Sequence, residues 1–141
     1  MPTVFTRIIQ GELPGRFVWR DERCVAFLTI NPLAPGHTLV VPVEEVDHWI
    51  DLPADLAAHV WEVARLVGRA QQEAFSPSRV GVLVVGEEVP HAHVHLVPFD
   101  DLAQLDFANA AAPPDPAALD DAAPRLRAPL RAAGPGGVPD A

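Results

Sequence analysis

Three of the six histidines stand at every second position of one short stretch, Pro90-His91-Ala92-His93-Val94-His95-Leu96-Val97-Pro98. Side chains of an extended strand alternate faces, so His91, His93 and His95 are predicted to project from one side. Ala92, Val94 and Leu96 then point into whatever the strand covers. Imidazoles on an otherwise apolar strand are costly to bury without partners. Three arrangements would supply partners. The histidines could be structural, each satisfied by neighbours. Two of them could share a metal, since adjacent same-face positions lie about 6.8 Å apart. The outer two are about twice as far apart, so a third ligand would come from elsewhere, with His37, Glu87 and Glu88 as candidates. Alternatively, the middle residue, His93, could act as a nucleophile or acid–base group: near neutral pH one imidazole nitrogen can attack while the other is held by a hydrogen bond.

Composition narrows the surroundings of this chemistry. A chain of 141 residues has room for one domain with a proper core. With 49% hydrophobic and 21% charged residues it reads as an ordinary soluble globular protein. No apolar run nears the roughly 20 residues of a membrane span, and Met1 to Arg7 lacks the layout of a signal peptide. The expectation is a cytoplasmic protein. A formal charge of −9 argues against a surface that grips nucleic-acid backbones, yet it leaves room for a nucleotide in a local pocket. The single Cys24 makes no internal disulfide and no multi-cysteine zinc site. Tyrosine is absent and all ten basic residues are arginines, which excludes Schiff-base chemistry, a P-loop lysine and a tyrosine nucleophile. The abundance of Ala, Pro, Arg and Asp suggests a GC-rich, bacterial gene.

The elements that must position the histidines follow from periodicity and breakers. Phe5 to Ile9 reads as a helical turn stopped by Gly11 and Pro14. Phe17 to Arg20 and Cys24 to Ile30 read as a hairpin. After the loop Asn31 to Gly36, His37 to Pro42 is a third strand. A long helix is predicted from about Leu52 to Phe75, with Leu56, Val60, Val63, Val67, Ala70 and Ala74 as its apolar stripe and Pro53 in its first turn. Val80 to Val85, almost wholly apolar, is predicted to be a central strand, and Gly86 to Pro90 turns into the histidine strand. The result is an α+β fold: a five-stranded, mainly antiparallel sheet with the long helix on one face. Residues 1–110 would form the domain. Residues 111–141, rich in Ala, Pro, Asp and Gly, would be an extension, with Leu119, Leu126 and Leu130 marking a broken helix and the last eight or so residues disordered.

His91-Ala92-His93-Val94-His95-Leu96-Val97 resembles the histidine-triad motif, His-φ-His-φ-His-φ-φ with φ apolar. Phe5-Thr6-Arg7-Ile8-Ile9-Gln10-Gly11-Glu12-Leu13-Pro14, Asp21 to Phe27, and Pro35-Gly36-His37-Thr38-Leu39-Val40-Val41-Pro42 are similar to the family's upstream segments in order and spacing. The resemblance covers about residues 4 to 99. It implies a histidine-triad nucleotide hydrolase or nucleotidyl transferase. In that chemistry His93 attacks the α-phosphorus of a nucleoside phosphoramidate, phosphate ester or dinucleoside polyphosphate, and water releases the mononucleotide from a nucleotidyl-histidine intermediate. The resemblance further implies that the His91 carbonyl fixes the His93 tautomer and that His95 and His37 bind the phosphate or leaving group. Phe5, Ile8, Phe27 and Ile30 would form the base pocket. A homodimer with a continuous sheet is also implied, and no metal or other cofactor is required.

Three departures from the family pattern stand out. Thr29 replaces an Asp that grips the ribose hydroxyls in many members. Glu87 and Glu88 occupy the phosphate loop where Asn, Gly and Gln-Ser or Gln-Thr usually supply donors. Members with a structural zinc carry an N-terminal Cys-x-x-Cys, whereas this segment is Val4-Phe5-Thr6-Arg7. Two other functions therefore stay open: a nucleotide-binding module with little turnover, and a metal-dependent hydrolase using the histidine strand. Cys24 reads as core, His48 as surface or interface, and His59 as a helix-face residue. Arg7, Arg16, Arg79 and the pair Glu44-Glu45 read as solvated, and Trp49 and Trp61 are candidate dimer contacts.

Overall fold

The computed structural model describes residues 1–133 and 136–140. Helix α1 (Val4–Ile9) precedes strands β1 (Phe17–Arg20), β2 (Cys24–Leu28) and β3 (Thr38–Pro42); helix α2 (Ala54–Phe75), strands β4 (Arg79–Leu83) and β5 (Val94–Phe99) and helix α3 (Pro116–Ala132) follow. The five strands form one sheet in the order β1-β2-β3-β5-β4, and every adjacent pair is antiparallel. An α+β sheet with a long covering helix is therefore what the chain builds.

Both faces of the sheet are covered. On one, α2 lays its stripe of Leu56, Val60, Val63, Val67 and Ala70 against Val18, Ala26, Val40 and Leu96. On the other, Phe5 of α1 packs with Val25, Phe27, Leu39 and Val41. Strands β2 and β3 are buried along their whole length, which explains why both read as continuous apolar runs rather than alternating ones.

The interior place belongs to the histidine strand, not to the one before it. β5 pairs with both β3 and β4, and β4 is an edge. The expectation of a central strand over Val80 to Val85 is thus corrected. Its apolarity on both faces does not come from being enclosed: Val82 and Val85 are exposed at 43% and 52%.

Helix α2 begins two residues later than the spacing predicts. A 3-10 turn over Trp49–Asp51 comes first, and Pro53 sits at the N-cap rather than inside the first turn. The helix closes at Ser76, whose left-handed φ of 47° satisfies a C-cap. Helix α3 runs unbroken through Pro124 and Pro129. Each proline removes a helical hydrogen bond, and the burial of Leu119, Leu126 and Leu130 against the core on α2 and β1 holds the helix nonetheless. Residues 134, 135 and 141, where disorder was expected, lie outside the described residues. Just beyond the first two, the Gly137 carbonyl accepts the Arg20 N–H at 2.7 Å.

Candidate active site

The regular strand starts at Val94, so His91 and His93 lie in the extended segment leading into β5 and only His95 is within it. The three side chains nevertheless gather on one side. The Phe5 ring meets His91 at 5.7 Å and His93 at 4.8 Å, both edge-on, and His93 meets His95 at 4.9 Å. The anchor of this group is α1, whose only buried residue is Phe5.

Hydrogen bonds fix the protonation of each ring. The Leu33 backbone N–H donates to His37 Nδ1 at 3.0 Å, which leaves the His37 proton on Nε2. That nitrogen lies 3.0 Å from His95 Nδ1 and donates to it, so His95 carries its own proton on Nε2. His93 Nδ1–H donates to the His91 carbonyl at 2.8 Å, leaving the Nε2 lone pair free. His91 Nε2–H donates to the Pro42 carbonyl at 2.7 Å, and its Nδ1 accepts from the Thr3 hydroxyl, also at 2.7 Å.

Electrostatics agrees with neutral rings. Burial, and to a lesser degree His95, push His37 down to about 3. Burial and His93 push His95 down to about 4. His93 also lies below the ordinary histidine value of 6.5: burial, together with the nearby His91 ring, lowers it by more than the bond to the His91 carbonyl and the Glu88 carboxylate raise it. At neutral pH the group therefore offers one lone pair, on His93, beside one outward N–H, on His95.

Three clefts meet at His93. One, of about 440 Å³, is almost wholly apolar and includes Leu52, Val60, Trp61 and Val84. A polar one of about 240 Å³ is lined by Asp47, His48 and Glu87. The third, about 120 Å³, lies between Glu87, Glu88, His95 and Phe107. The two loop glutamates thus stand beside the histidines.

Of the residues expected to form a base pocket, Phe5 and Phe27 are in edge contact at 5.7 Å, and Ile8 packs on the same cluster. Ile30 stands apart with 54% of its surface exposed. Thr29 is half-buried, and its hydroxyl accepts the Asn31 N–H at 3.3 Å.

Sequence reasoning missed Phe107, whose ring meets His95 edge-on at 4.9 Å. Its only sequence signal is a lone aromatic residue in a polar segment after the triad. Glu45, expected to be merely solvated, accepts the Thr3 N–H at 2.8 Å and the Thr6 hydroxyl at 2.5 Å. Arg7 and Arg16 pair with Glu12 and Asp120 at the surface.

A second cluster joins Asp21, Cys24 and His59, whose polar atoms lie within 4.8 Å of one another. Both Asp21 oxygens are already engaged. Oδ1 accepts the Arg23 and Cys24 N–H groups, while Oδ2 accepts Trp19 Nε1–H at 2.7 Å and His59 Nε2–H at 2.8 Å. Burial and the neighbouring carboxylate push the Cys24 thiol up to about 12. The cluster is a clasp between the β1–β2 turn and α2, so His59 is more than a helix-face residue.

The chain is similar in sequence and fold to known proteins. A family model described as HIT domain matches residues 10–102. An HIT-like protein of Methanocaldococcus jannaschii is 36% identical over 99 residues, 67% of this chain and 77% of that protein. The adenylylsulfatase HINT3 of Arabidopsis thaliana is 29% identical over 100 residues, 67% of this chain and 51% of that protein. The solved structure of a hypothetical histidine triad nucleotide-binding protein from Sulfolobus tokodaii strain7 superposes with a TM-score of 0.78 at 25% identity, covering 91% of each chain. His37 and the triad strand both fall within the matched segment, and this chain belongs to the HIT family.

Proposed function

We propose that the protein is a nucleotide hydrolase or nucleotidyl transferase in which His93 is the nucleophile. The observation that carries this reading is the 2.8 Å bond from His93 Nδ1–H to the His91 carbonyl, which turns a free Nε2 toward open clefts. Nε2 attacks the α-phosphorus of a nucleoside phosphoramidate, phosphate ester or dinucleoside polyphosphate. The bond from phosphorus to the leaving group breaks, and the leaving group departs with that electron pair and takes up a proton from solvent. Water then cleaves the P–N bond, releasing the mononucleotide and regenerating His93. As the P–N bond forms, the ring becomes cationic and its N–H bond to the His91 carbonyl strengthens, an interaction greater in the transition state than in the ground state. His95 Nε2–H, backed by His37, is available to the developing oxyanion or the leaving group.

The base would rest against Phe5, Ile8 and Phe27, with Ile30 at the rim and Thr29 near the ribose. No cofactor is needed by this chemistry. A metal-dependent alternative would have to draw on His91, both of whose nitrogens are already engaged. Glu87 and Glu88 favour a second reading, a binding module with little turnover, because carboxylates near a phosphate repel it.

Incubation with nucleoside phosphoramidates and dinucleoside polyphosphates, with and without chelator, separates these functions. The expected outcome is chelator-insensitive hydrolysis, a labelled nucleotide trapped on His93 after acid quench, and loss of both in His93→Ala. Tight binding without turnover would favour the module, and activity lost on chelation and restored by zinc the metal enzyme.

The working unit in this proposal is a homodimer. β4 is an edge strand whose only charge is Arg79, and an open strand edge invites another strand. Beside it Trp61 is exposed at 59%, next to the apolar cleft that ends at His93. A second copy pairing along β4 would continue the sheet and cover both.

A further inference from the structure

We propose that Thr3 is a positioning residue for the nucleophile, acting through the ring of His91; the catalytic part of this inference rests on the function proposed above. His93 is held by the His91 backbone carbonyl, so the aim of the nucleophile depends on where residue 91 sits. The His91 ring is gripped at both nitrogens. Pro42, at the end of β3, takes the Nε2 proton, and Thr3, at the start of α1, donates its hydroxyl proton to Nδ1. The Pro42 carbonyl sets the proton on Nε2, and the Thr3 hydroxyl keeps a second proton off Nδ1 and holds the ring in place. Without the hydroxyl, Nδ1 is a buried acceptor with no donor, a costly state that a ring flip or a second proton would relieve. Either change moves the residue whose carbonyl holds His93.

Thr3 is itself fixed. Its Oγ1 accepts the Thr6 N–H at 3.1 Å as the N-cap of α1. Glu45 accepts the Thr3 N–H and the Thr6 hydroxyl, tying the cap to the segment after β3. One side chain therefore joins α1, which carries Phe5, to the histidine segment, and Phe5 touches both His91 and His93. The hydroxyl oxygen accepts from the backbone while its proton goes to the imidazole, so serine can replace it and valine cannot.

The test uses the full chain with Thr3→Val and Thr3→Ser, read by ¹⁵N NMR of the histidine rings and by steady-state kinetics on a nucleoside phosphoramidate. In the wild type, His91 should show a protonated Nε2 and a bare Nδ1. In Thr3→Val that tautomer should be lost or mixed, and kcat should fall about tenfold, the order expected for one neutral hydrogen bond, with KM little changed. Thr3→Ser should restore both. Since valine also weakens the helix cap, Thr3→Gly is the control: glycine is tolerated at an N-cap yet has no hydroxyl, so it should share the spectroscopic and kcat defects. Unchanged ring signals and kcat in Thr3→Val and Thr3→Gly would overturn the proposal, as would serine failing to restore. If the wild type turns over no substrate, the hydrolase function falls, and the positioning role falls with it only if the ring signals of the variants also stay unchanged.

Discussion

The histidine tautomers link the chemistry of the site to the stability of the fold. His37 and His95 titrate at about 3 and about 4 in the folded chain against an ordinary value of 6.5. Their folded values are depressed, so the unfolded chain binds more protons between those limits. The stability they contribute is fully present above pH 6.5 and is lost as pH falls toward 4 and then 3. Each engaged ring adds a slope of up to about 1.4 kcal/mol per pH unit. Asp21 is also depressed: burial raises it, but the bonds from Trp19, Cys24, Arg23 and His59 outweigh that effect, and its contribution is lost only as pH falls through values below 3.8. The urea midpoint should therefore drop between pH 7 and about 5.5, above the range where carboxylates titrate, and His37→Gln should flatten part of that slope. A midpoint independent of pH across this window would mean that these rings are not held neutral. At this scale the sequence was legible where spacing is short. Alternation over five residues marked His91, His93 and His95, whereas Thr3 meets His91 across 88 positions and Thr6 meets Glu45 across 39. A contact of that separation leaves no local pattern to read.

Elements carry these residues to one another, and α2 does more than cover the sheet. Gln71, fully buried, donates its amide to the Gly36 and Leu96 carbonyls at 2.9 and 3.0 Å. Those carbonyls flank His37 and His95, so one side chain of α2 clamps the loop before β3 to β5 where the two rings meet. Its Oε1 lacks a hydrogen-bond partner, a further cost of placing an amide there. Gly36 is required for the same junction. Its φ is +87°, and a Cβ would come within 2.5 Å of the Phe75 ring. Gln71→Leu takes a donor from the Leu96 carbonyl and leaves the Gly36 carbonyl to the Thr38 hydroxyl alone; it should cost about 1 kcal/mol in chemical unfolding, with a larger relative loss in kcat than in substrate binding. A variant as stable and as active as the wild type would show that the clamp is idle. Apolar periodicity placed α2 correctly but put its start two residues early, because Pro53 suits an N-cap as well as a first turn. The same periodicity marked Leu119, Leu126 and Leu130, while the prolines between them read as breaks that the packed helix absorbs.

For the whole molecule, the edge position of β4 turns an error of sequence reading into a physical question. Apolar side chains on both faces of Val80 to Val85 state a demand for burial, and centrality in the sheet is one way to meet it. Within one copy that demand is unmet: Val82, Val85, Trp49, Ile50 and Trp61 are all exposed by more than two-fifths of their surface. Arg79 is the one charge on this edge strand, and no lysine or proline interrupts the apolar run that follows it. The proposed second copy would supply the missing cover, and the apolar cleft at its boundary reaches His93. Sedimentation should accordingly give twice the 15.1 kDa of the chain. Trp61→Arg, which places a charge on that surface without touching the core cluster, should yield a monomer. Because the boundary lies beside the nucleophile, the monomer should also lose turnover while its circular dichroism stays that of a folded chain. A wild type that sediments as a monomer at micromolar concentration would refute the dimer. An active monomeric variant would instead confine the second copy to protecting the edge, with no share in the site.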